Sequence, residues 1–370
     1  MIILYTGILL ILYSVISQRV HKYDTFIALL FCFVIMGFQS NVDGDFYSYK
    51  HDFENFGFYG HVLEKGEYFW LYLNYLCQSI ISWPIFVVIL SGFECYIIKK
   101  YIDRFANCDY KFVSAVLFFF TFNYMLMQMK AMRQGLALEL SIYALLMIQD
   151  GIEYKKSKDI LIAVLLSLAA YYSHHSSLIL IAFVWGYYFV TRSKTFINWS
   201  PRSINFSVIF GIAGYLLFVM KKSFLDNILF PYLSLMDDSQ YEAYLQELIE
   251  SAGIVTNLVV LYDVVILFLL GWYLKIANGS NKYITIIAIV GMFADIICFG
   301  NSSVQRILLY FSIFNLVVFP QVLSEVEKQY GKIPAYVLIF FLVGYAMKTS
   351  VFWLVSGDPT MFGQYKFIFQ

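Results

Sequence analysis

The chain has 370 residues, of which 61% are apolar and 14% are charged, and its formal net charge is zero. An average soluble domain carries about 25% charged residues, so this chain has too few to cover a water-exposed surface. The balanced charge also excludes a nucleic-acid-binding protein, which needs a basic face. The composition therefore predicts an all-α polytopic integral membrane protein, with residues 1–370 forming a single transmembrane domain.

Apolar runs between polar breaks predict about twelve transmembrane helices, within a range of roughly 10–14, because a membrane span needs about 20 apolar residues. The predicted runs are 2–17, 24–40, 83–98, 112–129, 132–149, 159–173, 176–191, 203–220, 256–275, 283–300, 306–324 and 334–354. The stretch 67–82 is aromatic and amphipathic, so we expect it to lie in the membrane interface rather than to cross.

Lys and Arg concentrate in the loops of one side, which is therefore predicted to be cytoplasmic. The other side carries two long acidic loops, at 41–82 and at 221–255. Because binding and catalytic residues are common on long loops, the outer face is expected to be the working face.

Asp43-Gly44-Asp45 in the first outer loop forms a D-x-D pattern, with which some glycosyltransferases hold a divalent metal. A pattern of three residues is a very common accident, and a solvated acidic loop is the simpler explanation. We expect no metal at Asp43 and Asp45. Tyr49, a little further on, is a candidate for stacking against a sugar ring or for anchoring the loop.

Cations on the outer side oppose the usual topology and so need a reason. Lys130, Arg133 and Gln134 lie at the outer start of the 132–149 run, where a helix N-terminus favours an anion. Arg306 stands at the start of a later run. Arginine presents a rigid donor fork that suits phosphate oxygens, so a phosphate site is predicted. Snorkelling, or an ion pair between Arg133 and Glu139, is the alternative.

His174 and His175 lie between two apolar runs, at the predicted outer mouth of a helix pair. A histidine there can act as a general base near neutral pH, or can simply be hydrogen-bonded in the interface. The histidines of the chain show no metal-ligand spacing.

Four acids fall within predicted spans, where ionisable groups are costly and usually face a cavity or a partner. They are Glu94, Glu139, Asp263 and Asp295. They line a substrate cavity or pair with arginines, and the sequence leaves both interpretations open.

Short motifs follow one another along most of the chain. They are Asp45-x-x-x-Tyr49, Glu67-Tyr68-Phe69, Arg133-Gln134-x-x-Ala137, His174-x-Ser176, and Arg306-x-x-x-Tyr310-Phe311 followed by Pro320. Their order resembles that of the EpsG family of bacterial polysaccharide polymerases, which is similar to the Wzy-type O-antigen and capsule polymerases. The region 200–300 matches only loosely.

This resemblance implies a GT-C-like polymerase bundle with two long outer loops, in the bacterial inner membrane and active on its periplasmic side. It implies a glycosyltransferase that joins undecaprenyl-pyrophosphate-linked oligosaccharide units of an O-antigen, capsule or exopolysaccharide. Undecaprenyl pyrophosphate is then released. No cofactor or metal is implied, and the partners are the lipid-linked substrate, membrane lipid and a Wzz-like chain-length regulator.

The resemblance also distributes roles among the candidates. Arg133 and Arg306 would stabilise the pyrophosphate leaving group, and His174 or Asp45 would take the acceptor proton. By motif position we prefer His174 to His175. The remaining candidates are expected to bind substrate: Lys130, Gln134, Tyr49, Glu67, His175, Tyr241, Asp263 and Asp295.

Two other functions remain open at this point. The first is an O-antigen ligase or a glycosyltransferase that uses a polyprenyl-phosphate sugar. The second is a lipid-linked oligosaccharide flippase or transporter, for which broken helices, repeat symmetry and mid-span charges are typical. The outer-edge positions of Arg133, His174 and Arg306 favour an enzyme.

Overall fold

The computed structural model describes the backbone of residues 24–41, 45–55, 63, 65–106, 109–121, 124–193, 196, 205–224, 254–298, 302–356 and 366–367. Over these residues the protein is all-α, as predicted, apart from one short pair of strands. Strand β1 (Gln39–Asn41) pairs antiparallel with β2 (Lys366–Phe367). The predicted first run, 2–17, lies outside the described residues.

The described part of the chain contains fifteen α-helices and one 3-10 turn, at His175–Ser177. In chain order the helices are α1 (Asp24–Gly37), α2 (Phe46–Glu54), α3 (Tyr68–Gln78), α4 (Trp83–Phe105), α5 (Lys111–Phe120), α6 (Met125–Lys130), α7 (Met132–Glu153), α8 (Ser157–Ser173), α9 (Leu178–Arg192), α10 (Phe206–Phe224), α11 (Ile254–Ile276), α12 (Ser280–Cys298), α13 (Ser302–Ser312), α14 (Asn315–Tyr330) and α15 (Lys332–Ser356).

Helix α7 is, within the described ranges, the one helix that is both long and apolar enough to cross a membrane unaided. Shorter apolar helices occur at Thr25–Gly37, Lys111–Phe120, Phe206–Leu217 and Lys332–Met347. The predicted count of about twelve spans is therefore not confirmed. Two of the predicted runs are interrupted: 112–129 is divided between α5 and α6, and 306–324 is divided between α13 and α14.

Helices α8 and α15 each expose a stripe of large apolar side chains. On α8 these are Leu161, Leu165 and Leu168, and on α15 they are Ile333, Val337 and Phe340. The spacing i, i+4, i+7 puts each set on one helix face. Contiguous apolar faces of this kind are costly in water and are typical of a surface that meets lipid or another protein.

The chain divides into two compact units. The first comprises residues 1–190 and 319–370, and the second comprises residues 191–318. Within the first unit, α7 packs along α8 and α4, and α1 packs against α4 and α5. Within the second unit, α10 and α12 pack against α11.

The described helices of the segment 41–82, which the sequence predicts to be the first outer loop, are folded onto the helices of the first unit. These two helices, α2 and α3, pack with α4, α7 and α8 around a buried aromatic cluster: Phe46, Tyr49, Phe53, Trp70, Trp83 and Phe86. Burying one such side chain stabilises the fold by about 1.5–3 kcal/mol. The cluster therefore fixes α2 and α3 in place. Helix α3 has 11 residues, which is about 16 Å and too short for a hydrocarbon core of about 30 Å.

Candidate functional site

A tight turn brings Glu67 to the end of α8. Gly66 has φ +71°, a left-handed conformation that glycine adopts without strain, and its N–H donates to the carbonyl of Leu63 at 3.0 Å. A Cβ at Gly66 would lie 3.3 Å from Cε1 of His175. The backbone conformation and the close approach to the histidine ring thus favour glycine here. The next residue, Glu67, directly precedes α3 and makes no side-chain capping hydrogen bond with it.

His174 stands where α8 ends. Its backbone is extended, with φ −162° and ψ 118°, so the helix stops at Ser173 and the 3-10 turn begins at His175. This break directs the side chain to Glu67, and Nδ1 of His174 lies 2.6 Å from Oε1 of Glu67. The Glu67 carboxylate is buried, whereas 30% of the His174 side chain is exposed. The imidazole therefore connects a buried acid with the surface.

Arg133 binds the same carboxylate from the start of α7. Its Nη1 donates to Oε2 of Glu67, and its Nε donates to the hydroxyl of Tyr49 at 3.5 Å. The guanidinium also lies over the Tyr49 ring, 5.3 Å from the ring centroid. A guanidinium has five N–H donors, so these contacts leave others available for a ligand. Glu67 is therefore shared between a histidine and an arginine.

The charge state of Glu67 determines what His174 can do. Burial opposes ionisation, but the hydrogen bond from His174 and the positive charges of Arg133 and Lys65 outweigh it, so the pKa of Glu67 lies below its usual value. Glu67 is thus an acceptor at neutral pH, and Nδ1 of His174 must carry the shared proton. In a neutral imidazole Nε2 is then an acceptor, which is the arrangement of a general base held by a carboxylate.

Other predicted site residues act on Arg133, adjoin it in the chain or belong to the 3-10 turn after His174. Asp45 precedes α2, is half-buried and acts electrostatically on Arg133. Lys130 ends α6 and is half-buried, and Gln134 is buried in the first turn of α7. The His175 ring stacks on Tyr171 at a centroid distance of 4.5 Å, which holds the 3-10 turn against α8.

The remaining predicted residues lie elsewhere or are not described. Asp263 is fully buried in α11, and Asp295 is half-buried in α12, both in the second unit. The backbone of Arg306 lies in α13, but its side chain is outside the described residues, as are Asp43 and Tyr241. The roles assigned to these residues stay predictions. Across the described ranges, no three His, Cys, Asp or Glu residues cluster as a metal site.

Two acids predicted to lie within spans meet in a buried cluster. Oε1 of Glu139 accepts a hydrogen bond from Nε2 of Gln128 at 2.8 Å. A Cβ at Gly135 would lie 3.0 Å from Oε1 of Glu94 and 3.2 Å from Cα of Gln128, so both groups pack closely against this glycine. Arg133 pairs with Glu67, and an ion pair between Arg133 and Glu139 is not formed.

The sequence did not single out Lys65, Gly66, Tyr68 or Tyr172 as site residues. A glycine between two charged residues, as in Lys65-Gly66-Glu67, is a turn signal and indicates where the chain reverses. It does not indicate what the turn packs against. The contact between this turn and residues 174–175 depends on a pairing more than 100 residues apart in the chain.

The fold and the site define an α-helical protein with a carboxylate-held histidine beside an arginine. The model of the EpsG family matches residues 22–367, nearly the whole chain, so the protein belongs to the EpsG family. This confirms the resemblance seen in the motifs. Proteins of this family are membrane proteins, and membership supports a polysaccharide-polymerase role in general terms. No curated protein and no solved structure matches the chain.

Proposed function

We propose that the protein is a glycosyltransferase of the inner membrane that polymerises undecaprenyl-pyrophosphate-linked oligosaccharide units of an O-antigen, capsule or exopolysaccharide. About twelve spans and a site on the periplasmic side belong to this proposal. The observation that carries it is the Glu67 carboxylate, which holds His174 through one oxygen and Arg133 through the other. A base and an anion-binding donor are thereby fixed beside each other.

The reaction requires one proton transfer and one exchange of bonds. Nε2 of His174 takes the proton from the acceptor sugar hydroxyl, whose oxygen forms a bond to the anomeric carbon of the donor chain. The bond from that carbon to the pyrophosphate oxygen breaks, and its electron pair leaves with undecaprenyl pyrophosphate. Glu67 keeps Nδ1 protonated throughout and stabilises the imidazolium that forms.

Arg133 acts on the leaving group. Its guanidinium is held by Glu67 and by Tyr49, and only 13% of its side chain is exposed. A donor that is fixed before the reaction stabilises developing negative charge without reorganisation, and removing one such donor typically costs about 10²–10³ in rate. Arg306 and Lys130 are proposed to assist, and Asp45 is the alternative base.

An O-antigen ligase or a polyprenyl-phosphate-sugar glycosyltransferase would need the same base and a similar anion site. A flippase would need neither. The choice among these rests on the product, so the experiment must follow the polysaccharide itself.

The test compares the length distribution of surface polysaccharide on a gel. The cells lack the gene and are complemented with wild type, His174→Gln, Arg133→Ala or Arg306→Ala. The level of each variant in the membrane is measured in parallel. We expect a ladder with wild type, and single repeat units with the deletion and with well-expressed variants. Loss of the single unit as well would contradict polymerisation and support the ligase or the flippase. A normal ladder with His174→Gln would show that His174 is not the base.

A further inference from the structure

Lys65 is an exposed cation at the edge of the site. It directly precedes the Gly66 turn, and its charge acts on the Glu67 carboxylate. Some other lysines of this unit are paired with acids, such as Lys50 with Glu54 at 3.9 Å. Lys65 forms no ion pair or hydrogen bond with any residue that the structure describes. Its exposed ammonium therefore adds positive charge beside the carboxylate that His174 and Arg133 share.

Two exposed tyrosines are close in sequence to the two members of the Glu67–His174 pair. Tyr68 follows Glu67 and is 44% exposed, and Tyr172 precedes His174 by two residues and is 40% exposed. Their ring centroids are 6.0 Å apart with an interplanar angle of 42°. The aromatics that support the site from within, Tyr49 and Trp70, are buried. The exposed rings thus belong to the rim of the site rather than to its core.

We infer that Lys65, Tyr68 and Tyr172 form the donor subsite, which holds a sugar ring joined to pyrophosphate. This rests on the proposed function. A glycosyl pyrophosphate presents a multiply charged anion directly beside a ring with apolar C–H faces, and its recognition calls for a cation next to an aromatic surface. Lys65 takes a phosphate, and the tyrosine pair takes the adjoining sugar. Arg133 contacts the second phosphate through its unused donors.

The alternative role for exposed tyrosines is to anchor the helix in the membrane interface. Tyr72 provides a control for this. It lies one turn after Tyr68 on α3, is 62% exposed, and makes no ring contact with any described residue. An anchoring role predicts that Tyr72 matters as much as Tyr68, whereas the donor subsite predicts that it does not.

The anion part is tested with inorganic pyrophosphate, titrated calorimetrically into the full-length protein in lipid nanodiscs. We expect Lys65→Ala to weaken binding about tenfold, as for the loss of one charge-assisted hydrogen bond. Lys50→Ala, which removes an exposed lysine of α2, should leave the affinity unchanged. No binding by the wild type, or equal binding by Lys65→Ala, would overturn the assignment of Lys65.

The sugar part is tested with lipid-linked repeat units extracted from cells that lack the gene. Tyr68→Ala and Tyr172→Ala should raise KM about five- to tenfold with little change in kcat, since an interaction equal in ground and transition states affects mainly KM. Phenylalanine at either position should restore KM, because the ring is kept. An equal rise in KM with Tyr72→Ala would overturn the subsite in favour of interface anchoring.

Failure of this inference and failure of the proposed function give different results. If wild-type protein does not join the extracted units, the proposed function fails. If wild type joins them, His174→Gln does not, and the Lys65, Tyr68 and Tyr172 variants all behave as wild type, then only the donor subsite is wrong.

Discussion

His174 and Glu67 share a hydrogen bond of 2.6 Å between Nδ1 and Oε1, although the two residues are 107 positions apart in the chain. The bond fixes which imidazole nitrogen carries the proton and the direction in which the ring points. It exists because the helix break at His174 and the left-handed turn at Gly66 bring two loop ends together. In the proposed mechanism the base is therefore oriented before substrate arrives.

Glu67→Gln keeps the size of the side chain but removes its charge. The amide can present its NH₂ group to Nδ1, which favours the wrong tautomer, and it leaves Arg133 without its counterion. We expect the polymerisation rate to fall by about 10²–10⁴, the range for loss of a correctly held general base. The rate on extracted lipid-linked units measures this. Glu54→Gln, at an exposed acid of α2, is the control, and a Glu67→Gln rate within twofold of wild type would contradict the role.

The lowered pKa of Glu67 predicts how stability depends on pH. The free-energy contribution from Glu67 ionisation is complete above the unfolded-state pKa of about 4.3 and is lost as the pH falls through the lower folded-state value. The difference in Tm between wild type and Glu67→Gln should therefore be retained above about pH 5.5 and should shrink as the pH falls below about 4.3. Thermal unfolding in detergent measures it. A difference that shrinks already between pH 8 and 6 would contradict an ionised Glu67.

Gly66→Ala tests the turn against a matched control. Both Gly66 and Gly279 have positive φ, at +71° and +53°, so alanine at either position should cost about 1–2 kcal/mol of backbone strain. Only at Gly66 does the new Cβ meet a neighbour, Cε1 of His175, because nothing lies within 4 Å at Gly279. We expect similar losses of Tm, with polymerisation lost only in Gly66→Ala. Equal activities of the two variants would show that the turn does not position the site.

Gly135→Ala probes the packing between α4, α6 and α7. The added methyl would press against Oε1 of Glu94 at 3.0 Å and against backbone of Gln128 at 3.2 Å, and overpacking of this kind costs about 1–3 kcal/mol. Gly92→Ala is the control within helix α4, because its Cβ would meet the Phe33 ring at 3.4 Å, an ordinary contact. Thermal unfolding should show a lower Tm for Gly135→Ala than for Gly92→Ala. A lower Tm for Gly92→Ala than for Gly135→Ala would mean that the Glu94 side chain moves away from the added methyl at little cost.

Helix α7 and the end of α8 could be predicted from the sequence because apolar runs and polar breaks report on them directly. Arg133 and His174 were proposed from residue type at a predicted outer boundary, and the structure places both against Glu67. The role of Glu67 was not, because its partners come from two distant segments and one sequence contains no signal for that pairing. The break between α5 and α6 was missed for a related reason: the run 112–129 is apolar on both sides of Thr121.

Glu67 directly precedes helix α3, which exposes Tyr68, Tyr72 and Tyr75 along one side. A displacement of those rings would therefore also displace the Glu67 carboxylate, which holds His174. A displacement of about 1 Å is enough to cost on the order of 10² in rate when it misplaces a catalytic group. For the proposed polymerase we therefore expect that a change in bilayer composition alone, without any mutation, shifts the length distribution of the ladder.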